Sequence, residues 1–408
     1  MILKDIRVLD LSQYLAGPHC TLLLAGMGAE VIRIDNPKTG DTLSRAPVFY
    51  GKDGPKIQKF DDSDVGIAFL KRSRGKKSIT LDLKSEEGNA LFLKLVKKAD
   101  VLVENFSVGV TERLEIDWST LQKINPRLIY CSITGYGATG PDAKRRAYDL
   151  TTQAMSGLMS VTGQPGNPPT KAGTPLGDTI SAGFAFSGIL GALFHRERTG
   201  EGQHIDISMT DVLFSLIFDE ALDIYEDLDM PFQQGNRIMR FSPFNTYPTK
   251  DGWLVIGVGH DAMWRSLCNL IGRKELSNHP EWGRMDWRVE NNKQVDAVVA
   301  EWTKTITTAA AVKKLEADGI VASPVQDIND LLSWPHLHAR GMIDTLSHPT
   351  LGKLANLKAA GFPLKFSAAE TFYEGTAVLS GTHNTEILRD LLGLNEQEIE
   401  ALARQSII

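Results

Sequence analysis

The apolar positions of the chain fall into short runs that alternate between two periods. Ile6 to Leu11 is a run of strand formers, Pro18 to Gly28 has a helix-compatible pattern, and Glu30 to Asp35 alternates, so the opening predicts a β-α-β unit. The pattern recurs. Ser78 to Leu83 predicts a strand, Ser85 to Lys98 a helix with a serine cap and acidic first turn, and Val101 to Glu104 a strand. Trp118 to Ile124 then predicts a short helix and Leu128 to Ile133 another strand. Such alternation indicates α/β architecture, a Rossmann-like doubly wound parallel sheet.

Beyond Gly135 the pattern breaks. Gly135 to Asp178 is rich in Gly, Pro, Ser and Thr, a long loop region of the kind that holds sites near strand ends. Thr179 to His195 carries no formal charge and predicts a buried helix, since it is short for a membrane span and diluted by Gly183, Ser187, Gly188 and Gly191. His204 to Ile207 predicts a strand and Asp211 to Glu226 an amphipathic helix. Tyr247 to Trp253 has hairpin chemistry and is followed by helices to about Gly319, a smaller α+β domain; Asn384 to Leu402 predicts a helix pair. The expected division is residues 1–215 for the large domain, 216–335 for the small one with its linkers, and 336–408 for a return to the large one.

Composition narrows the class. With 44 Lys+Arg against 50 Asp+Glu, a formal charge of −6 gives no general attraction for nucleic acid or a membrane surface. Cys20, Cys131 and Cys268 are odd in number and widely spaced, which argues against a disulfide framework or a cysteine zinc site and fits a reducing, cytoplasmic setting. The start, Met1 to Asp5, meets charge before any long apolar run, so no secretory signal is expected.

Several groups could carry chemistry. The first strand-to-helix loop, Gln13 to Pro18, lacks a GxGxxG turn, which weakens a dinucleotide reading. Lys71 to Lys77 puts five cations in seven residues, suited either to a phosphate ester or to a solvated basic loop. His336 and His338 have no acidic third ligand nearby and predict no metal site. Trp253 and Trp264 are expected in the small-domain core, and Cys20 and Cys131 as inert buried thiols. Asp178 stands at the start of the apolar helix, where the helix dipole should keep a carboxylate ionised and exposed; it suits a nucleophile and equally a plain N-cap.

Taken in order, certain runs resemble the class III CoA transferases, the CaiB/BaiF family that includes formyl-CoA transferase. They are Val8-Leu9-Asp10-Leu11-Ser12 with Leu15-Ala16-Gly17-Pro18, Gly28 to Ile34, Arg74 to Leu83, Ala99 to Phe106, Asn125 to Tyr130, Gly135-Tyr136-Gly137, His195 to Gln203 and Gly381 to Leu388. The resemblance implies a large domain built from both chain ends and two subunits interlocked like chain links. It implies no permanently bound cofactor and no metal, with acyl-CoA and a small carboxylic acid as substrates. It makes Asp178 the catalytic aspartate, after the Leu176-Gly177 pair. It places coenzyme A against Tyr14, Leu15 and Ala16, against Leu81, Asp82, Leu83 and Lys84, against Asn105, Phe106 and Ser107, and against Arg113, Arg146, Ala147 and Tyr148. Gly257 and Gly259 match a glycine loop over the site, here less glycine-rich.

The implied reaction moves CoA from a donor, plausibly succinyl-CoA, to a small dicarboxylate or hydroxyacid through aspartyl anhydride and aspartyl-CoA thioester intermediates. Two alternatives stay open. Relatives of this fold racemise α-methylacyl-CoA with a His-Asp pair, but Tyr148-Asp149 fills that slot here and a tyrosine is a poor base near neutral pH. The other alternative is a non-catalytic acyl-CoA-binding protein.

Overall fold

The structure, a computed structural model, describes all 408 residues. The chain divides into two compact units. One comprises Met1–Leu158, Ala172–Asp219 and Pro335–Ile408, and the other Met159–Lys171 and Glu220–Trp334. The expected break at 215/216 would cut the helix Met209–Ile217, and 159–171, expected in the large domain, goes with the smaller unit.

The strands of the larger unit are β1 (Arg7–Asp10), β2 (Glu30–Asp35), β3 (Phe49–Gly51), β4 (Gly54–Lys56), β5 (Val65–Gly66), β6 (Lys76–Thr80), β7 (Val101–Glu104), β8 (Ile129–Thr134) and β9 (Gln203–Ser208). Six of these form a parallel sheet in the order β6-β2-β1-β7-β8-β9. Its central strands are apolar on both faces because both faces are covered. Val8, Val101, Val103, Ile129 and Cys131 pack on one side, and Leu9, Ile32, Leu102 and Tyr130 on the other. The chain leaves β1 toward β2 on one side and returns to β7 on the other. The sheet order therefore reverses at β1/β7, and a ligand crevice is expected beyond the carboxyl ends of these two strands.

Helices α1 (Ala16–Gly26), α2 (Ile67–Arg72), α3 (Glu86–Val96), α4 (Val110–Arg113), α5 (Trp118–Ile124), α6 (Asp149–Met155), α7 (Leu158–Val161), α8 (Leu176–Thr199) and α9 (Met209–Ile217) follow in chain order. The helix expected over Asp211 to Glu226 ends earlier, at Ile217. By length and composition α8 could cross a membrane, but Ala182, Ala185, Ile189 and Leu193 bury one face in the core shared with α1 and the sheet. The expectation of a buried helix holds for that face only, since Phe184 and Phe194 are exposed on the other.

β6 starts at Lys76, inside the basic run, and three of the run's five cations are committed to protein partners. Lys76 and Asp10 are completely buried and paired at 3.0 Å. Lys76 Nζ also donates to the Pro18 carbonyl at 2.9 Å and to Thr21 Oγ1 at 2.7 Å, which uses all three ammonium donors. Arg74 is buried over the Tyr373 ring, donating to Asp344 and to the Ala360 carbonyl. Lys77 pairs with Glu30 and Glu386. Residues near the end of the chain complete this edge: Ser78 C=O accepts from His383 N–H, and Asp82 N–H donates to Ile407 C=O.

In the smaller unit β10 (Phe244–Pro248), β11 (Trp253–Gly257) and β12 (Val321–Pro324) form an antiparallel sheet, with the expected hairpin between the first two. Trp264 is buried there as expected, whereas Trp253 is 53% exposed at the strand end. Back in the larger unit, β13 (Ile343–His348) and β14 (Gly352–Ala360) make a hairpin within the tail.

Candidate active site

Most residues expected to contact coenzyme A lie just beyond the carboxyl ends of β1, β6 and β7, on the crevice side of the sheet, while Arg146, Ala147 and Tyr148 stand well after β8, directly before α6. The loops after β1 and β7 are tied together: Asn105 Oδ1 accepts from Gln13 N–H and Asn105 Nδ2 donates to Gln13 C=O, both at 2.8 Å. This clasp sits at the switch point of the sheet. Tyr14, next in the loop, has φ +64°, a left-handed conformation costly for a residue with a Cβ. Its carbonyl accepts from Arg72 Nη1 at 3.2 Å, and its ring meets Tyr148 edge-on with centroids 6.3 Å apart.

Asp178 occupies the first turn of α8 but is not its cap. The residue preceding the helix is Pro175, which has no capping side chain. The capping bond comes from another element instead: Asp149 Oδ1, in the first turn of α6, accepts from Gly177 N–H at 2.8 Å. A Cβ at Gly177 would stand 2.7 Å from Thr152 Oγ1 and 3.0 Å from Asp149 Oδ1, so glycine is what lets Asp149 approach the backbone. Buried Gln153 completes the clamp, donating to Asp149 Oδ2 at 2.8 Å and accepting from Ala172 N–H at 3.0 Å. The segment entering α8 is thereby fixed while the Asp178 carboxylate accepts no hydrogen bond.

This overturns both the N-cap alternative and the expectation of an exposed carboxylate. Asp178 is half-buried. Burial, together with the charge of Asp149, pushes its carboxyl up to about 6 despite opposing attraction from Arg72. At neutral pH the group is still mostly ionised, yet more basic than an ordinary aspartate, a combination that favours nucleophilic attack. An aspartate nucleophile at this position predicts a rate that falls as pH drops through about 6, because protonation would remove it. Asp149→Asn, which keeps an oxygen for Gly177 N–H but loses the charge, should move that limb to lower pH. A kcat/KM profile unchanged by the substitution would refute the coupling.

The other expected contacts separate into groups. Leu83, Lys84 and Arg113 line one open depression of about 350 Å³. Phe106 and Ser107 line another cavity of about 240 Å³ with Glu104, Tyr130 and His204. In that cavity burial raises the Glu104 carboxyl to about 7, with nearby bonds from Ser132 and Phe106 N–H opposing the rise. Leu15, Ala16 and Leu81 are buried, so their side chains serve the core. Asp82 Oδ1 accepts from Lys84 N–H, and Arg146 is exposed near Ala147. In the smaller unit Gly257 ends β11 against the Phe244 ring, where a Cβ would come within 2.9 Å, while Gly259 has open space around it.

Sequence reasoning did not single out Gln153 or His19. Burial and the charges of Arg72, Lys76 and Arg74 lower the His19 imidazole to about 4, leaving it neutral near the first loop. Gln153 bonds Asp149 one turn earlier and Ala172 on a distant segment, and the charges acting on His19 come from distant residues, so sequence order marks neither.

A family model described as CoA-transferase family III matches residues 3–384. Succinyl-CoA:mesaconate CoA-transferase of Haloarcula hispanica is 37% identical over 405 residues, covering 98% of this chain and 99% of that protein. Succinate–glutarate CoA-transferase of Agrobacterium fabrum is 34% identical, covering 95% of each. The crystal structure of a CAIB/BAIF family protein from Brucella suis superposes with a TM-score of 0.81 at 32% identity, covering 95% of this chain and 99% of that one.

Proposed function

This chain belongs to CoA-transferase family III, and from that premise we propose that it moves coenzyme A from succinyl-CoA to a small dicarboxylic acid with Asp178 as the nucleophile. The observation that carries the reading is the uncapped, half-buried Asp178 carboxylate, held in place by Asp149 and Gln153 through the backbone before it. The named relatives supply the substrate class, since mesaconate and glutarate are both dicarboxylates.

In the proposed cycle an Asp178 oxygen attacks the thioester carbon, the C–S bond breaks, and the thiolate leaves with the electron pair. The resulting mixed anhydride is attacked at the aspartyl carbon by the thiolate, which expels the donor acid and leaves aspartyl-CoA. The acceptor carboxylate then displaces the thiolate to form a second anhydride. Attack of the thiolate on the acceptor acyl carbon releases the new acyl-CoA and restores Asp178. No water is consumed, and each intermediate stores the energy of the thioester.

The reading extends to an interlocked homodimer, for which Phe184 and Phe194 on α8 and Phe214 and Phe218 on or beside α9 offer apolar surface. A monomer in sedimentation at micromolar concentration would remove that part. The three buried free thiols favour a cytoplasmic setting. The resemblance also lends the Gly257–Gly259 turn a gating role.

Hydroxylamine trapping tests the covalent step. Incubation with succinyl-CoA should put a hydroxamate mass change on the peptide containing Asp178, and free CoA should not. Modification confined to another peptide, or exchange of the α proton without exchange of CoA between acids, would refute the transferase cycle.

A further inference from the structure

We propose that Arg72 recognises the carboxylate at the far end of a dicarboxylic acyl substrate, making it a specificity-determining residue of the Asp178 site. The proposal rests on the transferase reading above. Of the cations in the basic run, Arg74, Lys76 and Lys77 are committed to protein partners, and Lys71 is exposed. Arg72, the last residue of α2, is half-buried and spends one of its five N–H donors, on the Tyr14 carbonyl at 3.2 Å. The rest of its planar fork has no protein partner.

Its position ties it to the nucleophile. It bonds the Tyr14 backbone, the Tyr14 ring meets Tyr148 edge-on, the next residue is Asp149, and Asp149 holds the Gly177 N–H just before Asp178. Arg72 is the cation whose charge acts on Asp178, yet the two form no contact ion pair. Fork and carboxylate are therefore separated by more than an ion-pair contact while still interacting, and the reacting acyl group attaches on the carboxylate side.

Charge balance shows what should stand between fork and carboxylate. In the free enzyme the negative charge of Asp178 faces Arg72. Once an Asp178 oxygen is bonded to an acyl carbon or the aspartyl carbon to sulfur, that charge is gone, and of the two carboxylates acting on the half-buried guanidinium only Asp41 remains. A carboxylate at the far end of the acyl chain replaces the lost charge and matches the fork with two parallel N–H donors. A monocarboxylic acyl group offers nothing there. Lysine would supply the charge without the fork.

Glutarate and pentanoate, equal in carbon number, isolate the second carboxylate. In a ping-pong cycle with saturating succinyl-CoA, kcat/KM for the acceptor reports the acceptor half-reaction alone. Arg72→Gln should lower it for glutarate by roughly ten- to a hundred-fold and leave pentanoate within about threefold, with Arg72→Lys recovering part of the loss. Calorimetric binding of succinyl-CoA and butyryl-CoA should show the same selective loss without turnover. Equal losses for both acids, as from a folding defect or a contact to CoA phosphates, would overturn the assignment, as would a preference retained in Arg72→Gln. If the wild type binds succinyl-CoA selectively through Arg72 but transfers to no acid, the transferase reading fails while the assignment of Arg72 stands.

Discussion

Asp178→Asn should lower CoA transfer by on the order of 10³-fold or more while the protein becomes more stable at neutral pH. The loss follows from the cycle, in which every covalent intermediate includes that carboxyl. The gain follows from linkage. Burial and Asp149 raise the folded-state group to about 6 from an ordinary value of 3.8. Between about pH 4 and 6 the unfolded chain therefore releases the proton first, and the folded state loses stability as pH rises through that window. Above it the full penalty persists, on the order of 1 kcal/mol after allowing for partial exposure. The asparagine variant escapes this penalty, so its advantage in thermal midpoint should appear at pH 7.5 and vanish near pH 4. Retained transfer would dismiss Asp178 as nucleophile. An advantage independent of pH would dismiss the electrostatic account.

The second large effect is structural. Lys76→Met should destabilise the larger unit by about 3–5 kcal/mol, because it strands a fully buried Asp10 carboxylate. Burial alone would push that carboxyl up, but the charge of Lys76 and bonds from Ser12 and Thr21 hold it below the ordinary range. Removing the cation leaves burial unopposed. Because the pair braces β6 against the end of β1, the loss should extend to the Tyr14 loop and weaken CoA binding. Asp10→Asn combined with Lys76→Met should restore much of the stability, since no buried charge then remains. A single substitution that leaves the urea midpoint unchanged would show that the pair contributes nothing.

The parts legible in the sequence are those whose signal is local. Glu30–Asp35, Val101–Glu104 and Trp118–Ile124 have the bounds their patterns predict, because alternation or helical spacing alone decides them. β6 was misplaced by two residues at its start, since Lys76 and Lys77 resemble loop until their partners Asp10, Glu30 and Glu386 come in from elsewhere. β3, β4 and β5 span two or three residues each, too few for any period to register. At the site, Asp178 was legible through family resemblance and its neighbouring glycine. Its clamp was not, because the bond from Asp149 to Gly177 spans 28 residues and Gln153 looks like any helical glutamine.

The edge of the sheet at β6 depends on residues 304 positions later, where Asn384 bonds to Thr80 through both backbone and side chain. During translation, therefore, the nascent chain emerges with its Leu81–Lys84 turn unsupported, and that edge strand stays open to wrong pairing until the distal segment has left the ribosome. On the proposed reading, in which that turn contacts coenzyme A, binding there awaits synthesis of the segment around Asn384 and not of the amino-terminal half alone.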